Sequence, residues 1–247
     1  DFLHVMITAV VAGVHVLVLV ASRDLGSALI FFIVYVMMVF IATGNWLYLF
    51  LGSGGGCGAA VLAYQFFTHV QVRVQAWRDP FSCIDDAGYQ ITQSLFAISS
   101  GGWFGMGLFR GTPGSIPFVE ADFVFSAVAE ELGIAFSMCV ILICVSCFIM
   151  FMDISIRLQD RFYRLIAFGL GVVYIFQVFL TVGGGTKFIP MTGVTLPLVS
   201  YGGSSVLTTL VMFFIIEGLY IIKQEEGDRR VRKKKRTRRT EQEAIRE

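Results

Sequence analysis

An all-α polytopic membrane protein of about seven transmembrane helices is the fold class this sequence predicts, and three observations predict it. The chain is 56% hydrophobic with a mean hydropathy of +0.75, above the roughly 45–50% apolar content of a soluble domain. Seven windows, about 3–21, 25–43, 47–68, 88–105, 122–151, 165–185 and 203–222, approach or exceed the roughly 20 apolar residues that a bilayer crossing requires. Charge is concentrated at one end: of 19 Lys and Arg, 11 fall between Lys223 and Arg246. The chain therefore divides into a membrane-embedded part, 1–222, and a cytoplasmic basic tail, 223–247.

The first window begins almost directly at Asp1, with no initiating Met and no signal-peptide pattern. With the tail in the cytoplasm, the loops expected inside hold Arg23, Arg73, Arg78, Arg157, Arg161 and Arg164, and those outside hold only Arg110 and Lys187. Seven spans then leave Asp1 outside, and the expectation is that further spans precede it in the whole protein. The third window contains Gly52-Ser53-Gly54-Gly55-Gly56-Cys57-Gly58, which reads first as a close helix–helix packing surface and second as a groove for a lipid chain. The loop 69–87, with Arg73, Trp77 and Arg78, reads as a cytoplasmic interfacial segment. The tail, with nine Lys or Arg in the eleven residues from Arg229 to Arg239, reads as a topology anchor that attracts anionic membrane lipid. Nothing suggests nucleic-acid binding, because no folded basic domain accompanies that run.

Four cysteines lie inside apolar windows and Cys83 in a loop, so no disulfide is expected. The three histidines have no paired ligand spacing, and no metal ligands are assigned.

Irregular backbone beside a bilayer is tolerated where protein or a water-filled cavity satisfies its polar groups. Pro190 to Ser205, PMTGVTLPLVSYGGSS, is such a segment between two apolar windows, and it is a candidate site wall or else a plain surface turn. Charges at membrane depth are functional candidates: Asp122, Glu130 and Glu131 in the fifth window, and Glu217 in the seventh. Glu130 lies eight residues from Asp122 on nearly the same helix face, roughly 12 Å along the axis, whereas Glu131 turns about 100° away. Asp122 follows the Gly- and Pro-rich loop 106–121 at the outer mouth, where it reads equally as a helix N-cap and as a general base. Glu130 or Glu131 reads as the partner of a buried cation that holds the helices.

Four blocks carry a resemblance to a known family. They are Arg23-Asp24-Leu25-Gly26-Ser27-Ala28, GYQITQSLFAISSGGWFGMG at 88–107, DFVFSAVAEELG at 122–133, and PMTGVTLPLVSYGGSS at 190–205. In order and spacing they resemble the SEDS proteins (shape, elongation, division and sporulation), typified by FtsW and RodA. The resemblance implies spans four to ten of a ten-span bacterial cytoplasmic-membrane fold, with both termini of the whole protein in the cytoplasm. It further implies peptidoglycan glycosyl transfer: polymerisation of lipid II at the outer face, in elongation, division or sporulation.

Asp122 aligns with the family's catalytic acid. It would deprotonate the acceptor sugar's 4-hydroxyl as undecaprenyl pyrophosphate leaves, inverting the anomeric carbon. Stabilisation of the pyrophosphate falls to Arg110, Lys187 or a divalent cation, magnesium or manganese. Gln93, Ser94, Thr192, Ser200, Tyr201, Gly202, Gly203 and Ser204 are the candidate substrate-binding residues, and Asp24, Glu130 and Glu131 a structural polar core. The implied partner is a class B penicillin-binding protein. Departures from the family pattern are Ala121 where a Thr is usual, Ser22-Arg23-Asp24 in place of Gln-Pro-Asp, the acid Glu217, and the absence of a basic tryptophan-containing motif. The competing functions are a lipid II flippase or other transporter, supported by the intramembrane glutamates, and a scaffold for a transpeptidase that needs no chemistry.

Overall fold

The computed structural model describes residues 2–244, with side chains for 3–227. Eight α-helices follow one another: α1 (Phe2–Ala21), α2 (Leu25–Thr43), α3 (Trp46–Phe66), α4 (Thr68–Arg78), α5 (Tyr89–Gly101), α6 (Val124–Arg157), α7 (Arg161–Gly185) and α8 (Gly203–Ala244). There is no strand among the described residues. The all-helical membrane class of the sequence analysis holds, but among the described residues six helices rather than seven are long and apolar enough to cross a membrane: Leu3–Ala21, Leu25–Thr43, Trp46–Phe66, Val124–Arg157, Arg161–Gly185 and Gly203–Gly227.

The expected span at 88–105 is not one. Its helix, α5, has 13 residues, about 20 Å at 1.5 Å per residue against a hydrocarbon core of about 30 Å. It stops at Gly101, where Gly102 turns the chain at φ 55°. The segment is apolar enough to pass as a span, yet it buries Thr92 and Ser94 completely. It runs as a short spoke between α6 and α7.

Removing one span changes the side of everything before it. Seven contacts collect the same ends of the bundle. A side chain at Gly26, just inside α2, would strike Thr192 and Val194. Arg73 on α4 bonds the carbonyls of Met191 and Thr192, and Trp77 that of Lys187. Ser94 on α5 bonds the Gly185 carbonyl. After α5 the chain returns along α6, where the Ser200 hydroxyl donates to the Ala121 carbonyl and the Tyr201 N–H to that of Glu120. The α1–α2 turn and α4 therefore share a side with Asp122, and Arg23, Arg73 and Arg78 do not sit with the tail as expected. An even number of spans also puts the start of α1 on the tail's side. There, Lys223 pairs with Asp153 at 2.7 Å and the Gln159 N–H donates to Glu226 at 2.9 Å, locking α8 to the α6–α7 turn. The helix α8 runs unbroken past residue 222. The basic run 229–239 lies outside the described side chains, so its expected lipid contact lies outside them too.

The buried core joins α6, α7 and α8 through Cys144, Phe151, Tyr174, Met212 and Ile216, with the Phe151, Tyr174 and Phe213 rings in mutual contact. By contrast α1 and α3 expose most of their apolar side chains, as helices solvated by lipid do. The glycine run of α3 is used as the sequence suggested: Gly52 abuts Val36 and Gly56 abuts Phe32, where any side chain would come within 3 Å. Spaced four apart, these two glycines let α2 and α3 close together; Gly54, Gly55 and Gly58 face open space.

The helix α6 is broken at Gly133, whose φ 85° and ψ 167° belong to glycine alone. A break leaves helical donors and acceptors unpaired, and the chain after α5 supplies them. Met106 and Gly107 N–H groups donate to the Glu130 and Glu131 carbonyls at 2.9 and 3.0 Å. The Gly102 and Trp103 carbonyls accept from the N–H groups of Ile134 and Ala135 at 2.9 and 3.3 Å. A nine-residue half-helix, 124–132, is thereby held beside the loop that leads to Asp122.

Candidate active site

Asp122 stands at the start of this half-helix, half-buried. Its N–H donates to the Phe118 carbonyl at 3.1 Å. The cap position of α6 falls on Phe123, and no side chain caps it. Of the two readings left open by the sequence, capping is therefore not what occupies the Asp122 carboxylate, which accepts no hydrogen bond among the described residues. One of its oxygens, Oδ2, lies 3.9 Å from where a side chain on Gly193 would begin, and Gly193 holds φ 79°. Burial pushes the Asp122 carboxyl above the ordinary range of an aspartate, and the positive charge of Arg73 partly opposes this. A carboxylate raised toward the working pH and free of hydrogen bonds has the properties of a general base.

The wall facing Asp122 is the connection 186–202 between α7 and α8. Pro190 to Thr195 carry no regular structure, so side chains hold them. Arg73 reaches the Met191 and Thr192 carbonyls at 3.4 and 3.2 Å, and Thr181 the Val194 carbonyl at 2.7 Å. Next along, the Ser200 hydroxyl accepts from the Leu196 N–H at 2.8 Å while donating to Ala121. A cavity of about 240 Å³ opens beside this wall, lined by Arg73, Trp77, Gln90, Ile91, Ile189 and Met191 among others.

The expected site residues separate into groups. Asp122, Thr192, Tyr201, Gly202, Gly203, Ser204 and Lys187 all gather at this end. Tyr201, Gly203 and Ser204 are exposed, and Tyr201 and Ser204 bring side chains that can meet a substrate. Two residues expected to bind substrate are closed off. Ser94 is fully buried, hydrogen-bonded to Ser126 Oγ at 2.6 Å and to the Gly185 carbonyl at 2.7 Å. Ser200 is buried and committed to Leu196 and Ala121. Both are positioning groups. Gln93 is half-buried on α5. Arg110 is exposed, on the loop that wraps Glu130 and Glu131.

The expected polar core is also revised. Asp24 is exposed and caps α2 by accepting from the Ser27 N–H at 3.0 Å. Among the described residues Glu130 and Glu131 accept backbone N–H groups, Thr112 to Glu130 at 2.9 Å and Phe109 to Glu131 at 3.2 Å, and meet no cation at ion-pair distance, while Glu130 Oε2 is buried without a hydrogen-bond partner. Although they diverge around the helix, both bind one loop because that loop bends around them. Glu217 is exposed on α8. The residues that sequence reasoning missed are Arg73, Trp77 and Gly193. The signal for the first two was the coincidence of a basic and an aromatic residue four apart on one helix face.

A model of the family described as cell cycle protein, comprising FtsW, RodA and SpoVE, matches residues 2–225. The chain belongs to this family. The RodA peptidoglycan glycosyltransferase of Mycobacterium bovis is 38% identical over 199 residues, covering 81% of this chain and 42% of its own length. The probable peptidoglycan glycosyltransferase FtsW of Neisseria gonorrhoeae is 34% identical over 222 residues, covering 87% and 48%. The chain thus spans about half the length of these curated relatives. A chain from a solved peptidoglycan synthase complex, in which polymerization and crosslinking are coordinated, matches with a TM-score of 0.70 at 26% identity, over 87% of this chain and 60% of that one. This FtsW/RodA-type chain is a multi-pass membrane protein of all-helical fold.

Among the described residues no three His, Cys, Asp or Glu side chains converge; a magnesium ion held by one carboxylate and a substrate's phosphates needs no such group, and Asp122 is the carboxylate of this end that would hold it. No step is assigned to a metal.

Proposed function

We propose that the protein polymerises lipid II into glycan strands at the outer face of the bacterial cytoplasmic membrane, with Asp122 as general base. The observation that carries this reading is the Asp122 carboxylate: half-buried, raised by its burial, spared from capping and set against the irregular wall 190–205. The outer-face assignment follows from the positive charges. Arg157, Arg161, Arg164 and Lys223 lie toward one end of the bundle and Arg23, Arg73, Arg78, Arg110 and Lys187 toward the other; the ten further Lys and Arg that follow Lys223 in the sequence support a cytoplasmic tail.

In the reaction Asp122 takes the proton of the acceptor sugar's 4-hydroxyl. The resulting oxygen nucleophile attacks the donor's anomeric carbon from the face opposite the pyrophosphate. The bond from that carbon to the pyrophosphate oxygen breaks, the polyprenyl pyrophosphate leaves as an anion, and a β-1,4 linkage forms with inversion. Lys187 and Arg110 supply positive charge on the same side for the leaving group. The family kinship to glycosyltransferases of the RodA and FtsW type supports this chemistry, and the solved synthase complex, which coordinates polymerization and crosslinking, supports a crosslinking partner, which we read as a class B penicillin-binding protein.

The break in α6 at Gly133, beside two intramembrane glutamates, is the observation that favours transport instead. That break is closed by backbone hydrogen bonds from 102–107, however, so it opens no path. Incubating fluorescent lipid II with the reconstituted protein and its partner separates the readings. Glycan polymer formed by wild type and abolished by Asp122→Asn supports the enzyme; lipid II translocated without polymer supports the transporter.

A further inference from the structure

We infer that Arg73 is a positioning residue for the catalytic carboxylate: its guanidinium ties α4 to the Met191 and Thr192 carbonyls and so fixes Gly193 against Asp122. The inference rests on the reading of Asp122 as the base.

The wall segment carries the argument. Between Pro190 and Thr195 the backbone belongs to no helix, and a segment without a ladder is as mobile as its side-chain ties allow. The ties are few. Thr181 holds the Val194 carbonyl at 2.7 Å on the far side of Gly193, and Arg73 holds the two carbonyls on the near side at 3.2 and 3.4 Å. Gly193, pinned between them, is the residue that approaches Asp122. A single planar guanidinium serves two successive carbonyls because its donors diverge in a fixed fork, which an ammonium lacks.

The position of Arg73 is itself built. Trp77, one turn further on α4, donates its indole N–H to the Lys187 carbonyl at 3.1 Å, so one face of α4 grips the wall at two points. This explains an arginine and a tryptophan at that spacing in a segment that otherwise resembles a membrane-surface helix. The guanidinium has donors left over and faces no carboxylate at ion-pair distance among the described residues; its charge acts on Asp122. The other charged groups of this end are Lys187 on the wall, Glu120 and Arg110 on the loop before α6, Arg23 and Asp24 at the α1–α2 turn, and Arg78, Asp79, Asp85 and Asp86 at and after the end of α4, the last six all exposed. Glu120 and Arg110 are exposed, and the cation that lowers the Asp122 carboxyl is Arg73.

The test is the pH dependence of lipid II polymerisation by the protein with its partner, for wild type, Arg73→Gln, Arg73→Lys and Asp122→Asn. Loosening the wall misplaces the reacting groups, so Arg73→Gln is expected to lower kcat about 10- to 100-fold with little change in KM. Because Arg73 favours the charged carboxylate, its loss raises the carboxyl further, and the acid limb of kcat/KM moves to higher pH by up to about one unit. Arg73→Lys keeps the charge and loses the fork, so its acid limb stays with wild type while kcat falls to an intermediate value.

An unmoved acid limb in Arg73→Gln, or a wild-type kcat in it, overturns the inference. Elution as a single species and a thermal transition check that Arg73→Gln is folded. If it is not, Arg73→Lys decides: a reduced kcat with an unmoved limb supports the clamp, and a wild-type kcat overturns it. An active Asp122→Asn protein overturns the reading of Asp122 as base, a different result from an inactive Asp122→Asn beside an unaltered Arg73→Gln.

Discussion

Replacing Gly133 by Ala strikes the point where the site's scaffold is least tolerant. At φ 85° and ψ 167° the residue occupies a region open to glycine, and a non-glycine residue there costs about 1–3 kcal/mol. Space is the second obstacle. The added carbon would lie 2.4 Å from the Gly105 nitrogen and 2.5 Å from the Trp103 oxygen, both backbone atoms. The strand of loop at 102–107 must therefore move off α6, loosening the four hydrogen bonds that bridge the break. Losing two of them costs about 0.5–1.5 kcal/mol each. The sum is about 2–6 kcal/mol, which for a chain of this size lowers Tm by at least about 4 °C. Thermal unfolding in detergent, followed by tryptophan fluorescence, measures it. Because the half-helix 124–132 leads to Asp122, polymerisation should fall in the same variant at a temperature where it remains folded. A Gly133→Ala protein with the Tm and activity of wild type would refute the bridged break.

Two further outcomes follow from the same geometry. Ser200→Ala removes a hydroxyl that serves both Leu196 and Ala121; leaving those buried groups unpaired costs about 1–3 kcal/mol, read as a lower Tm and a reduced kcat. In wild type the acid limb of kcat/KM should lie above the value of about 3.9 for a free aspartate, because burial disfavours the ionised carboxyl that acts as base; a pH–rate profile checks this, and a limb at or below that value contradicts it.

Much of the membrane architecture was legible in the sequence because apolar windows of span length are an unambiguous signal in α1, α2, α3, α6, α7 and α8. The wall at 190–205 was legible too, since two prolines and three glycines between apolar windows have few other uses. The window at 88–105 misled for a physical reason. Its composition is apolar, but Thr92, Ser94 and Gly101 make it a short helix packed in protein, and a count of apolar residues does not see where the helix stops. One miscounted span then moved Arg23, Arg73 and Arg78 to the wrong side. With Arg73 placed among lipid headgroups, its role at the Met191 and Thr192 carbonyls was out of reach, because the pairing joins residues 118 and 119 positions apart. Asp122 stood out in the sequence as a candidate, but its freedom from capping did not, since cap geometry depends on where α6 starts. The burial of Ser94 and Ser200 likewise needed the fold: hydroxyls in a site motif look the same whether they meet substrate or brace a wall.

The central claim is that the Asp122 carboxylate performs the chemistry. Asp122→Asn keeps the shape and removes the base, so glycan-strand synthesis from lipid II, followed on a gel at matched amounts of folded protein and partner, tests it directly. The expected result is a loss of about 10²–10⁴-fold, the range for removing a general base, with Tm unchanged. Polymerisation at the wild-type rate would contradict the account and send the search for the base to Glu130 and Glu131.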